Sequence, residues 1–155
     1  MPARREVSTR RVPRVSVQCG AVDVAAEIAW LESQPGVGAI VSFTGLCRDE
    51  GGRIAALEIE HYPAMAETEL QRIASEAMAR WPLSGLTIIH RTGRVAVGER
   101  IVLVVTAAAH RVAAFQAAEF VMDYLKTRAP FWKKSIWPMN QAAVGSRPRP
   151  PTTRR

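Results

Sequence analysis

The sequence predicts an α+β fold in which three helices pack against a mixed sheet. Two observations carry that prediction. Short apolar runs rich in β-branched residues alternate with longer stretches whose apolar residues keep helical spacing. The central part of the chain also contains no internal repeat and no Pro/Gly-rich linker, so these elements belong to one domain. With 155 residues, 48% of them hydrophobic, the chain can bury a real core.

In chain order, 15–18 reads as a short strand. Asp23 can cap a helix over about 24–33, with Ile28 and Leu31 inward, and Pro35 and Gly36 end it. The run GAIVSFT, 38–44, reads as a buried strand from its β-branched and aromatic content. A polar loop, DEGGR, follows Cys47 and Arg48, and 54–61 alternates as a half-buried strand should. Pro63 opens a second helix. Its apolar face runs through Ala66, Leu70, Ile73, Ala74, Ala77, Met78 and Trp81, and Pro82 stops it. Strands are expected over 86–90 and 100–106, with turn signals over 93–99 between them. A long helix then reaches about Lys126, with Phe115, Ala118, Met122 and Leu125 as its core stripe. Ile136 and Trp137 are read as a last strand. Trp30, Trp81, Met65 and Met78 are expected in the core.

The net charge of +7 is unevenly placed. Residues 1–14 hold five Arg and one Glu, and 147–155 hold four Arg with no acid, which leaves 15–146 at −1. The reading is therefore a basic tail over 1–14, a folded domain over 15–137, and a Pro/Arg-rich tail over 138–155, both tails expected to be disordered. The tails lack stacking aromatics and any RNA-binding motif, so solvated ends are favoured over nucleic-acid contact. No apolar run approaches the roughly 20 residues that span a membrane, and no apolar segment follows the basic N-terminus as in a signal peptide. Cys19 and Cys47 form neither a CxxC motif nor a disulfide framework, which suits a reducing cytosol and gives no zinc site. Cys47 is read as a small buried hydrophobe, and His61 and His90 show no metal spacing.

The chemistry centres on 124–134, YLKTRAPFWKK. Pro130 ends the preceding helix, so Lys126 sits on its last turn and Lys133 lies beyond in an extended segment. Lys126, Arg128, Lys133 and Lys134 around Phe131 and Trp132 suit an anionic group, with one lysine free for proton or nucleophile work. His110 and Arg111 open the same helix, where free N–H groups favour anions. Arg48 follows a strand end and a glycine, as functional loop residues often do. Arg111 and Lys126 are separated by about 22 Å of helix. One small phosphate cannot reach both ends, so the two ends serve one site only if they come from different chains; otherwise they serve two functions.

These residues resemble the large, catalytic subunit of molybdopterin synthase: YLKTRAPFWKK, the AHR before a helix, FTGLCR, LEIEHYPAM and RWPL with IIHRTG. The resemblance spans about 15–134. It implies an α/β-hammerhead type of fold, a homodimer of large subunits, and a heterotetramer with two small ubiquitin-like carriers ending in a Gly-Gly thiocarboxylate. That tail would deliver sulfur to cyclic pyranopterin monophosphate, giving the dithiolene of molybdopterin, with no resident cofactor or metal. It implies Lys126 and Lys133 as the essential lysines, Arg48 as an anion-binding arginine, and His110 and Arg111 as a pair given by the neighbouring chain; Lys134 joins them as a substrate contact. The chain departs from the pattern at Ser135, where the family usually has Glu, and in the following SIWPMNQAAVGSRPRP. Ser135 would suit the alternative of a non-catalytic member that only binds the carrier.

Overall fold

The computed structural model describes residues 11–138. It contains seven strands and three helices in the order β1 (Arg14–Gln18), α1 (Val24–Glu32), β2 (Ala39–Leu46), β3 (Ala56–His61), α2 (Pro63–Arg80), β4 (Leu83–Arg91), β5 (Gly93–Ala96), β6 (Arg100–Ala108), α3 (Arg111–Thr127) and β7 (Phe131–Ile136). The strands divide over two sheets. One is four-stranded and mixed, in the order β1-β4-β6-β2, with β1 parallel to β4; the other is three-stranded and antiparallel, β5-β3-β7.

The central strands β4 and β6 are buried along almost their whole length, as their near-continuous apolar sequence requires. α2 and α3 pack over one face of this sheet, where Leu70, Ile73, Leu86, Val104, Ala114 and Val121 form the main core. α1 covers the other face through Leu31 against Ile89, Leu103 and Val105. Asp23 caps α1 by accepting from the Ala26 N–H at 3.0 Å, and Pro63 opens α2. Cys47, Ile59, Val95 and Ile101 join the small sheet to the large one. Phe131 packs against this cluster and against the main core, so it bridges the two sheets.

Several expectations are corrected. β2 is an edge strand, half exposed, because only β6 pairs with it. The stretch 93–99 holds a strand as well as turns: Gly93 takes φ 75°, a conformation open to glycine, and the next residues pair with β3. The last strand is not confined to Ile136 and Trp137 but begins at Phe131 and pairs with β3 along its length. The stripe of α3 is displaced by about one position, to Ala114, Ala117, Ala118, Val121 and Tyr124, and Phe115 is 61% exposed. Small residues let the first turns of the helix lie close on the sheet, which leaves Val112 and Phe115 outward, while Met122 and Leu125 still pack partly buried against the core. Trp30 and Met65 are likewise exposed, whereas Met78 and Trp81 pack partly buried against the core. The N-terminal tail read over 1–14 is overtaken at its end: Arg11 donates to the Ser84 and Pro35 carbonyls, and Arg14 lies in β1, paired with the buried Glu27 at 2.9 Å. The rest of the tail calls, 1–10 and 139–155, fall outside the described residues.

Candidate active site

The helix carrying Lys126 ends where the sequence places it. Arg128 caps α3, its N–H bonding the Tyr124 carbonyl at 2.8 Å, and only Ala129 and Pro130 separate it from β7. Lys126, in the last turn, is exposed to solvent. A strand alternates its side chains, so Phe131, Lys133 and Ser135 share one face of β7 and Trp132 and Lys134 the other. The first face belongs to the core side: Phe131 packs with Ile59, Val95 and Cys47. Lys133, itself exposed, lies close enough to Cys47 and His90 to act on both electrostatically.

The outer face is different. Glu60 of β3 accepts from the Trp132 indole N–H at 2.7 Å and from the Lys134 ammonium at 2.8 Å. These contacts hold the Glu60 carboxyl below its usual range and raise the Lys134 ammonium. Tyr62 meets Trp132 edge to face at 5.0 Å. Lys133 and Lys134 are thus adjacent in sequence and on opposite faces of the sheet.

Arg48 lies just past the end of β2, its side chain 83% exposed, with Glu50 at 3.7 Å. Cys47 beside it is buried, and burial raises its thiol pKa, as expected of a structural cysteine. His110 is the N-cap of α3 and makes no side-chain capping bond; Arg111 follows it, and both are exposed. The β2–β6 ladder fixes how these groups are distributed. Ala39 pairs with Ala108, and Leu46 pairs with Arg100. The His110-Arg111 end therefore adjoins the start of β2, and Arg48 lies beyond its finish, about seven residues or roughly 23 Å away. The ladder and the helix agree. Arg48, Lys126 and Lys133 gather at one end of the domain, and His110 and Arg111 stand at the other.

Sequence reasoning gave no role to two residues that frame this region, having weighed His90 only as a metal ligand. His90, in β4, is buried, with its ring stacked on Phe131 at 3.8 Å and 9°, and its Nδ1–H donates to the Arg91 carbonyl at 2.8 Å. Burial, with the positive charge of Lys133 nearby, pushes its pKa down to about 4. His61 stacks on the same ring at 6.0 Å. Glu60 was the other omission; the alternation of 54–61 against that of 131–136 is the signal that pairs it with Lys134. A groove of about 260 Å³ opens between α2 and α3, lined among others by Arg72, Arg80, Phe120 and Tyr124 and also by Arg128, which turns away from Lys133 into this groove's wall. None of Arg48, His110, Arg111, Lys126 or Lys133 lines it. No group of three or more His, Cys, Asp or Glu stands ready for a metal ion among the described residues.

The structure is thus a single two-sheet α+β domain with exposed basic residues at both ends of α3. The chain belongs to the MoaE protein family, whose sequence model matches residues 17–128. That match ends before Lys133. The chain is 65% identical over 123 residues to the molybdopterin synthase catalytic subunit of Mesorhizobium japonicum, covering 79% of this chain and 77% of that protein. It is 60% identical over 121 residues to the catalytic subunit of Brucella melitensis, covering 77% and 74%. Among solved structures, the MoaE protein of Burkholderia ambifaria superposes with a TM-score of 0.73 at 43% identity, covering 85% of this chain and 95% of that one. Molybdopterin synthase from Staphylococcus aureus does so with 0.71 at 30% identity, covering 79% and 90%.

Proposed function

We propose that this chain does the work of a molybdopterin synthase catalytic subunit, moving sulfur from a thiocarboxylated small carrier to cyclic pyranopterin monophosphate. Family membership supports the reaction, and the clustering of Arg48, Lys126 and Lys133 at one end of the domain supports the site. The carrier's Gly-Gly tail ends in an anion, which the lysines hold; as the thiocarboxylate sulfur bonds a side-chain carbon of the pterin, the C–O bond at that carbon breaks, and one lysine gives the leaving oxygen its proton. Water then releases the carrier as a carboxylate. A dithiolene has two sulfurs, so two carriers are consumed per product. In this reading sulfur comes only from the carrier, and the enzyme needs no cofactor of its own. Its place is the cytoplasm, and no helix among the described residues is long and apolar enough to cross a membrane.

His110 and Arg111 serve the substrate phosphate of a neighbouring copy. The observation that carries this is their separation from Arg48 along β2, repeated independently along α3. The edge strand β2 and the exposed Phe43, Val112 and Phe115 offer a face for that second copy, with a carrier on each large subunit to complete a heterotetramer. Lys134, bound to Glu60, contacts substrate or tail only if it leaves that partner.

Subunit mixing tests the shared site. Arg111→Ala and Lys126→Ala homodimers should each be poorly active. After random equal exchange, half the dimers carry one intact pocket of two, so activity should recover toward about a quarter of wild type. No recovery, with exchange confirmed by native mass spectrometry, would place both groups in one chain and end the shared-site reading.

A further inference from the structure

We infer that His90 is a positioning residue: by stacking on Phe131 it fixes the short segment that sets Lys126 and Lys133 against one another. The inference rests on the assignment of Lys133 made above.

Phe131 occupies an unusual place in the chain. It is the first residue of β7, two positions before Lys133 on the same face and five after Lys126. It also packs against both hydrophobic clusters, so its ring sits where the three-stranded sheet meets the main core. Between α3 and β7 there is almost no slack: Arg128 caps the helix, and the Phe131 N–H bonds the Ala129 carbonyl at 2.8 Å. A shift or rotation of Phe131 must therefore move both lysines.

One face of that ring is held by His90. A centroid separation of 3.8 Å with 9° between planes is full face-to-face contact. The imidazole is fixed in turn: it belongs to the buried central strand β4 and bonds the Arg91 carbonyl. Arg91 is itself anchored to Glu99 at 2.6 Å and to the Cys19 carbonyl. The path from a rigid strand to the two lysines is thus one ring on another. An imidazole suits this place because it is flat and its depressed basicity keeps it uncharged beside Lys133.

Misplacing a catalytic group by about 1 Å can cost on the order of a hundredfold in rate, so loss of the stack should read as lost turnover. The test is a double-mutant cycle on the complete complex with thiocarboxylated carrier, measuring kcat and the KM for cyclic pyranopterin monophosphate. His90→Ala should lower kcat by about tenfold or more and leave KM within about threefold. His90→Phe, which keeps a flat ring against Phe131, should retain most of kcat. In a Lys133→Ala background, His90→Ala should cost clearly less than it does alone, because one of the two groups it positions is gone. Full additivity of the two losses would overturn the inference, and so would wild-type kcat in a folded His90→Ala enzyme. If His90→Ala does not fold, His90→Phe decides alone: near-normal kcat supports the stack, and a loss as deep as that of Lys133→Ala rejects it. Wild-type activity in Lys133→Ala itself would sink the lysine assignment and this inference together, whereas additivity with an impaired Lys133→Ala sinks this inference only.

Discussion

The two faces of β7 are held by opposite physics. On the inner face Phe131 lies on a buried, uncharged His90, and Lys133 has no carboxylate partner among the described residues. On the outer face Lys134 and Trp132 share the Glu60 carboxylate in full view of solvent. One side depends on a group staying neutral and the other on groups staying charged. A lysine that ends in an ion pair is committed to it; a lysine left beside apolar rings keeps its ammonium for another partner. On the function proposed above, the difference would make Lys133 the working lysine and Lys134 a structural one.

The largest expected effect is on stability against pH, and it belongs to the inner face alone. His90 has a folded pKa of about 4 against an ordinary value of 6.5. The unfolded chain therefore binds a proton between those limits that the folded chain refuses, and stability falls as pH drops through that window. The full difference corresponds to about 3 kcal/mol. His61 and Lys133 face His90 and add positive charge that works in the same direction. Lys134 and Trp132 hold the Glu60 carboxyl below its ordinary 4.5. Its contribution is present above 4.5 and is lost only as pH falls through its lower folded value. Urea unfolding of the wild type and His90→Phe at pH 7, 5.5 and 4.5 should thus converge or cross toward acid, with the wild type losing more. Parallel curves would mean that His90 is already free to protonate in the folded state.

Next in size is the split in activity. Lys133→Ala should lower sulfur transfer by at least about 100-fold, the usual reach of a lost acid–base group, as should Lys126→Ala. Lys134→Ala should stay within about threefold, since it removes only an exposed ion pair. Equal losses at 133 and 134 would erase the distinction between the faces.

How much of this the sequence disclosed depends on what kind of signal each feature has. The end of α3 was legible because Pro130 cannot continue a helix, and that put Lys126 in its last turn. The helix stripe was not legible in phase. Of Phe115, Ala118, Met122 and Leu125, Ala118 is buried and Met122 and Leu125 flank the core, but the centre of the stripe is Ala114, Ala117, Val121 and Tyr124, and bulk pointed wrongly to Phe115. β5 was hidden because Gly93 marks a turn and a strand start at once. The pair Lys133-Lys134 read as one basic cluster, because the alternation that divides them has meaning only once 131–136 is known to be a strand. His90 gave no local sign at all. Its role comes from Phe131, which is 41 positions away in the chain and reaches it only through the packing of two sheets.

The smallest expected effect tests whether the outer face is structural in the strict sense. Glu60→Gln keeps the side chain's length and an amide oxygen that can still accept from the Trp132 indole. It removes the charge that holds Lys134. Because Glu60 and Lys134 are both well exposed, water and salt already screen their attraction, and the freed ammonium can be solvated where it stands. Sulfur transfer should therefore stay within about twofold of wild type. Any residual difference should fade as ionic strength rises, because only the screened charge was lost. A gain in activity would carry a separate meaning: Lys134, released from Glu60, would then be a third cation for the anionic tail or substrate, held in check by its carboxylate. A loss as deep as that of Lys133→Ala would show that the outer face belongs to the site, and the contrast between the faces of β7 would then concern folding alone.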